Sequence, residues 1–184
     1  MRILLVIHGY PPYYMAGSEV YTYNLARELA KTNDVFVFHR IEDKGIPLHQ
    51  FFDSLEEGVH IRKINNYEPT PAIFYDKYLN PEIDDAFRQY VRSVNPDVVH
   101  IGHLSHLSTQ IPIIAKREFG LPVFSLFTIS GCSVIAGNSL IHRIGRYAPC
   151  PMWPNVQSVL HSIIKKMTLI QDLLRNVTSI YVKL

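Results

Sequence analysis

Short apolar runs alternate along the chain with stretches in which apolar residues recur at helical spacing. Helices are predicted to begin near Gly17 and Pro81, and a third helix is predicted between residues 105 and 119. Strands that alternate with helices predict an α/β fold class: a Rossmann-like, mostly parallel sheet with helices on both faces and the first strand at its centre. The runs that predict strands are residues 3–7, 34–39, 59–64, 97–101 and 123–127.

The ends of two predicted helices carry residues that commonly cap helices. Asn80 is predicted to cap a helix that has Pro81 at its first position, and Asn95-Pro96 is predicted to end it. Ser18 is predicted to cap the first helix.

The remaining stretches carry turn residues or one long amphipathic pattern. Residues 40–57 and 128–154 are predicted to be irregular, because glycine and proline interrupt them. Residues 156–177 predict a long helix with a basic face, and residues 179–184 predict a final strand. The favoured interpretation is that this helix packs against the sheet, and the alternative is that its basic face contacts a membrane surface.

Composition indicates one globular domain, which we expect to span residues 1–184. Of the 184 residues 47% are hydrophobic, and the net charge of +2 gives no argument for a nucleic-acid partner. No apolar stretch is long enough to span a bilayer, and no signal-peptide pattern follows Met1. We therefore expect a cytoplasmic protein, with peripheral contact at the inner membrane face as the alternative. Cys132 and Cys150 do not suggest a disulfide scaffold.

The first strand, the loop after it and the start of the first helix form a candidate phosphate site. A helix start presents unpaired backbone N–H groups and a positive dipole end, and glycine lets a ligand approach the backbone. The glycines of this loop, Gly9 and Gly17, match neither the G-x-G-x-x-G fingerprint nor a P-loop. The residues that begin the helix are Ala16, Gly17, Ser18 and Glu19.

Four histidines lie near the predicted carboxyl ends of the strands, where ligands bind in sheets of this class. His8 ends the first strand, and His100, His103 and His106 lie at and after the fourth. The spacing of the last three invites a zinc site, but no carboxylate or cysteine lies close by to complete it, so no metal is predicted. We interpret His106 as bonding to the loop backbone.

Tyrosines are concentrated in the loop before Gly17. Aromatic rings stack well on sugars and lipid-linked acceptors, so Tyr10 and Tyr13 are candidate acceptor contacts, with Tyr14 beside them. The alternative, given equal weight, is that these rings pack within the loop.

Three blocks of the sequence resemble the N-terminal half of the family-four glycosyltransferases, which have the GT-B fold. The first is MRILLV, a loop with two prolines, G-S-E at a helix start and then YTYNLARELAK. The second is PDVVHIGHLSH at residues 96–106, and the third is GLPV at residues 120–123. The blocks cover nearly the whole chain but only the N-terminal half of the family, so the resemblance implies one half of a GT-B fold.

The resemblance also implies a reaction and its partners. The expected reaction is retaining transfer of a sugar from a nucleotide-sugar donor to a hydroxyl acceptor, which is a sugar or a lipid-linked molecule, without a further cofactor. Residues 16–19 would contact the donor phosphate or the transferred sugar. The expected acceptor contacts are Tyr10, Tyr13, His100, His103 and Thr128.

Two features depart from the family's pattern. The family usually carries a histidine, often followed by an acidic residue, after the strand that follows G-x-P-V, and Thr128 and Ile129 stand there instead. The chain also ends before a donor-binding domain, so we expect a separate donor-binding domain or partner chain, and self-association through loops that would face it. The alternative function is a non-catalytic binding or assembly subunit, or a truncated remnant, that pairs with a donor-binding chain. A stand-alone nucleotide-binding module is a third hypothesis.

Overall fold

The predicted α/β class is confirmed by a computed structural model, which describes residues 1–67, 78–129 and 132–136. Apart from Met1, these residues belong to one compact unit, Arg2–Arg146. The helices are α1 (Gly17–Ala30), α2 (Pro81–Val94) and the short α3 (Ile111–Ile113), which continues as a π-helical turn over Ile114–Glu118. The strands are β1 (Arg2–Ile7), β2 (Asp34–Ile41), β3 (Phe51–Glu56), β4 (Val59–Asn65), β5 (Val98–His103), β6 (Val123–Ile129) and β7 (Cys132–Ala136).

The strands of the described residues form one seven-stranded sheet in the order β3-β4-β2-β1-β5-β6-β7. The five inner strands are parallel, and β3 and β7 each add an antiparallel strand at an edge. β1 lies at the centre, as predicted, and its residues from Ile3 to Ile7 are all buried, because strands flank it on both sides and helices cover it.

The helices α1 and α2 cover opposite faces of the sheet, which confirms the predicted layers. Successive side chains of a strand point to opposite faces. Val6 of β1 belongs to the apolar cluster built around Phe87 of α2. The next residue, Ile7, lies with Thr22 of α1 around Gly102 on the other face.

The ends of α2 are formed by the residues that the sequence indicated. The side chain of Asn80 accepts a hydrogen bond of 3.1 Å from the backbone N–H of Ile83, and Pro81 occupies the first turn. Asn95 adopts the left-handed conformation with φ of 44° and ends the helix.

The predicted cap of α1 is wrong. Ala16 is the N-cap, with extended backbone and without a side-chain hydrogen bond, and Ser18 lies inside the first turn. The Ser18 hydroxyl instead donates a 2.9 Å hydrogen bond to the carboxylate of Glu19. The helix therefore begins two residues earlier than a serine cap would place it.

Two stretches predicted to be irregular contain strands. Residues 40–57 include β3, an edge strand that pairs with β4, and residues 128–154 include the end of β6 and all of β7. Hydrogen bonding to a neighbouring strand supplies the order that the local sequence does not indicate. The third helix is likewise shorter and less regular than predicted, with Pro112 in its first turn.

The predicted helix over residues 156–177 and the predicted strand over residues 179–184 lie outside the described residues, as do residues 137–154. In the ranges that the structure does describe, no helix combines the length and the apolar character needed to cross a bilayer.

Candidate functional site

The strand order reverses at the carboxyl ends of β1 and β5, which form the part of the sheet edge here called the crevice. The chain passes from β1 to β2 on one side of the sheet centre and returns to β5 on the other side. Open parallel sheets bind ligands at such a reversal of strand order. His8 follows β1 and His103 ends β5, and the centroids of their rings are 4.5 Å apart. Two of the four histidines singled out in the sequence therefore meet in this crevice.

A change of register between β1 and β5 determines where His103 lies. Val6 is paired with Ile101, but Ile7 is paired with His103, so Gly102 is an extra residue in β5. Such a bulge re-aims the side chain that follows it. A Cβ on Gly102 would lie 2.8 Å from the Ile7 side chain, so the glycine is required for this close packing.

His8 donates to a buried carboxylate. Its Nε2 lies 2.9 Å from Oε1 of Glu19, whose other oxygen accepts the hydrogen bond from Ser18. Burial lowers the pKa of His8 to about 4, and the charge of Glu19 only partly opposes this shift. His8 is therefore neutral at pH 7 and carries its proton on Nε2. Its Nδ1 is then an acceptor, and it has no hydrogen-bond partner among the described residues.

His103 presents a donor to the same crevice. Its Nδ1 accepts a hydrogen bond of 3.1 Å from the backbone N–H of Ser105. In the neutral ring Nε2 therefore carries the hydrogen. The side chain is exposed to solvent, so this N–H is available to a ligand.

The start of α1 completes one wall of the crevice. A Cβ on Gly17 would meet no atom within 4 Å, so open space adjoins the helix at this point. The first backbone N–H groups of a helix have no partner within it, and Ala16 supplies no side-chain cap. The loop before the helix is held by Gly9, where a Cβ would lie 2.6 Å from the ring of Tyr14.

The other predicted acceptor residues occupy different surroundings. Tyr13 is 62% exposed in the loop, whereas Tyr10 is 2% exposed and packs against Tyr23 and His39. His100 is 4% exposed and lies below the crevice, beside Tyr21 of α1. The structure thus brings His8 and His103 together at the edge and places His100 in the core.

The remaining predicted residues are placed at the loops or at the sheet edge. Thr128 lies in β6 and is paired with Ser133 of β7. The backbone carbonyl of His106 accepts a 2.7 Å hydrogen bond from the side chain of Asn66. This contact is made by the backbone of His106 and by a residue of another loop, so the interpretation of the His106 side chain stays a prediction.

The partner of His8 was not predicted from the sequence. No carboxylate was expected near the histidines, but Glu19 reaches His8 because α1 turns back over the end of β1. Nor was Arg40 predicted, a buried cation in β2 whose signal was a charged residue inside an otherwise apolar strand. Among the described residues no group of three or more histidine, cysteine, aspartate or glutamate side chains has the arrangement of a metal site.

No protein-family model and no curated protein matches this sequence. Among solved structures, the chain is similar to a sucrose-phosphate synthase from Thermosynechococcus elongatus, with 19% identity and a TM-score of 0.36, over 54% of this chain and 26% of that one. It is also similar to an E. coli structure described as trehalose-6-phosphate bound with UDP-2-fluoro glucose, with 12% identity and a TM-score of 0.32, over 55% of this chain and 27% of that one. The chain spans about a quarter of the length of these structures. At such TM-scores the likeness carries no argument about what this chain does.

Proposed function

We propose that residues 1–184 form the acceptor-binding half of a retaining glycosyltransferase of the GT-B type, which transfers a sugar from a nucleotide-sugar to a hydroxyl acceptor. One observation carries the proposal: the crevice between β1 and β5 joins an open helix start at Gly17 to the paired rings of His8 and His103. This is also the region in which the sequence resembles the family-four enzymes.

The polar groups of the crevice suit a ligand rich in hydroxyls and phosphates. The backbone N–H groups of α1 at Ala16–Ser18 would donate to a donor phosphate or to the transferred sugar. The exposed N–H of His103 would donate to an acceptor hydroxyl, and the ring of His8 would pack against that of His103. Tyr13 would stack on the acceptor.

Glu19 has a positioning role in this proposal. It is 3% exposed, and its two oxygens are bonded to His8 and to Ser18. A carboxylate in the first turn would repel a phosphate that approached it directly, and its charge is favourable to the helix dipole. We therefore assign Glu19 to orienting His8, with Gly17 left as the point of closest ligand approach.

The second candidate is a non-catalytic subunit that binds a ligand and pairs with a donor-binding chain. The residue types at Thr128 and Ile129 favour it, because neither can take the part of the histidine and acidic residue that the family usually carries there. A transfer assay with nucleotide-sugars and sugar acceptors, run with a donor-binding chain added, separates the two: release of nucleotide that depends on the acceptor and on this chain supports the enzyme. By itself the 184-residue chain is expected to transfer no sugar. Transfer is expected only when a donor-binding partner is present.

Ligand binding is tested by backbone NMR of the full chain with UDP-glucose, GDP-mannose and simple methyl glycosides. Binding weaker than micromolar is expected, with shifts at the amides of His8, Gly17 and His103. Gly17→Leu should abolish these shifts, because its side chain would fill the open space, and Gly17→Ala should keep them. Shifts that lie elsewhere, or that survive in Gly17→Leu, would contradict the proposed site.

A pair of histidine variants separates the crevice from the rest of the surface. His103→Ala removes the exposed donor and should weaken the response to the glycosides. His60→Ala removes another exposed ring, at the beginning of β4 and stacked on Phe36, and should leave the response unchanged.

A further inference from the structure

A buried cation beside the crevice is not used by the proposed function. The side chain of Arg40, near the end of β2, is 7% exposed. Its Nη1 donates two hydrogen bonds, one of 2.8 Å to the backbone carbonyl of Asn66 and one of 3.4 Å to the carboxylate of Glu42. Its Nε is buried and has no partner among the described residues. A buried charged donor that lacks an acceptor is uncommon in folded proteins and calls for an explanation.

The loops at the carboxyl edge converge on Arg40. The ring of Tyr14, from the loop after β1, lies over its guanidinium at 5.7 Å. Asn66, which follows β4, accepts from Arg40 and donates to the backbone of His106, which follows β5. Arg40 is also close enough for its charge to lower the pKa of His8. The arginine is therefore fixed next to the crevice rather than free on the surface.

The local charge is positive. Lys63 of β4 lies beside the same loop, with its Nζ 5.6 Å from the ring centre of Tyr13. In the part of the chain that the structure describes, no carboxylate forms an ion pair with Lys63. Glu42 faces Arg40 only at 3.4 Å and is half exposed, so it neutralises the arginine incompletely.

We propose that Arg40 forms an anion subsite beside the crevice, which holds the phosphate group of a ligand through the free edge of the Arg40 guanidinium. That edge, Nε and Nη2, has the geometry that pairs with two oxygens of a phosphate at once. The ring of Tyr14 covers the Arg40 guanidinium, and the loop that carries it shifts to admit the ligand. Lys63 is paired with His39 and projects to the other face of the sheet, so it adds only to the positive charge nearby. The proposal extends the acceptor role given above by stating a chemical class for the acceptor, and it rests on that role only for this assignment.

The subsite is tested by calorimetry and phosphorus NMR of the 184-residue chain with inorganic phosphate. Arg40→Met should weaken phosphate binding by roughly tenfold or more, since it removes charge-assisted hydrogen bonds. Lys63→Met should weaken it by about two- to fivefold, and Glu42→Gln should strengthen it by a similar factor. The control is Arg92→Met, which removes an exposed arginine on α2 and should change nothing.

The measured phosphate affinities of the wild-type chain and of the variants can overturn the proposal. No phosphate binding by the wild-type chain, or equal binding by Arg40→Met, would refute it. If Arg40→Met fails to fold, as judged by circular dichroism, the other two variants provide the test. Unchanged phosphate affinity in both Lys63→Met and Glu42→Gln would then refute the proposal. Because no donor sugar is present, the result does not depend on whether the chain takes part in glycosyl transfer.

Vesicles distinguish a lipid headgroup from a soluble phosphate ester. Phosphatidylcholine vesicles with and without phosphatidic acid are sedimented with the chain. Binding only to the acidic vesicles, lost in Arg40→Met, would assign the subsite to a lipid phosphate. Binding of inorganic phosphate without sedimentation would assign it to a soluble ligand, and sedimentation that persists in Arg40→Met would count against the subsite.

Discussion

The two long helices, α1 and α2, pack on opposite faces of the same sheet but begin in opposite ways. The first turn of α2 is closed by the side chain of Asn80, which satisfies the N–H of Ile83, and by Pro81, which has no N–H. The first turn of α1 has Ala16 at the cap and an open Gly17. A helix start without a side-chain cap is less stable by itself. Because no side chain accepts from its first N–H groups, these donors are available to a ligand.

The buried faces of the two helices also differ in polarity. α2 lies on the apolar cluster that includes Phe38, whose ring centroid is 5.7 Å from that of Phe87. The first half of α1 buries Glu19, Tyr21 and Thr22. α2 also buries one charged side chain, that of Asp84, but it has the side-chain cap that α1 lacks. A missing cap is expected where a helix start serves a binding site.

The largest predicted effect of this difference is a loss of stability in acid on the α1 side. Complete burial lowers the pKa of His100 to about 4 from 6.5, because the charged ring would be desolvated. The unfolded chain takes up this proton as the pH falls below 6.5, and the folded chain does not. The stabilising contribution is therefore complete above that pH and is lost toward pH 4, by roughly 3 kcal/mol.

Urea unfolding of His100→Phe at neutral and acidic pH checks this prediction. The variant should lose less stability in acid than the wild-type chain by roughly 3 kcal/mol. Tyr21→Phe is the matched control: it removes the neighbouring buried hydroxyl, which has no partner among the described residues, and it keeps His100. The same acid loss in His100→Phe and in the wild-type chain would show that this histidine is not responsible.

The comparison also shows which parts of the fold were predictable from sequence. The ends of α2 were predicted because Asn80, Pro81 and Asn95 act on their own neighbours in the chain. β1, β2 and β5 were predicted because burial on both faces makes such strands nearly continuously apolar, whereas β4 was predicted from its alternating apolar and polar residues. β3 was missed because an edge strand is ordered by its partner, β4, and its own residues are largely exposed.

The candidate site was predictable in position but not in detail. Its location follows from the alternation of strands and helices and from the glycine at the helix start. The spacing of His100 and His103 gave no sign that a bulge at Gly102 lies between them, so both were assigned to the acceptor and only one lies at the edge. The pairing of His8 with Glu19 depends on the path of the loop, which the sequence does not determine.

A smaller effect is predicted for the acidic residues of the two first turns. Glu19→Gln should destabilise the chain by about 1–2 kcal/mol, because a buried charged acceptor for His8 and Ser18 is replaced by a neutral one. Glu82→Gln, at the exposed start of α2, should cost only about 0.3–0.5 kcal/mol through the helix dipole. Chemical denaturation at pH 7 measures both variants. Equal costs at the two positions would mean that the hydrogen bonds of Glu19 contribute little to stability.

The last prediction exchanges the cap residues of the two helix starts. Ala16→Ser should stabilise the chain by about 0.5–1 kcal/mol, because its hydroxyl can accept from a free N–H of the first turn of α1. Asn80→Ala should destabilise it by a similar amount, because the N–H of Ile83 loses its acceptor.

Thermal denaturation measures both changes in stability, and the NMR titration with nucleotide-sugars measures their effect on binding. If the open start of α1 serves a ligand, Ala16→Ser gains stability and weakens the response at Gly17, whereas Asn80→Ala loses stability and leaves the response intact. A serine cap that gains stability with undiminished binding would indicate that the free N–H groups of α1 are not used by the ligand.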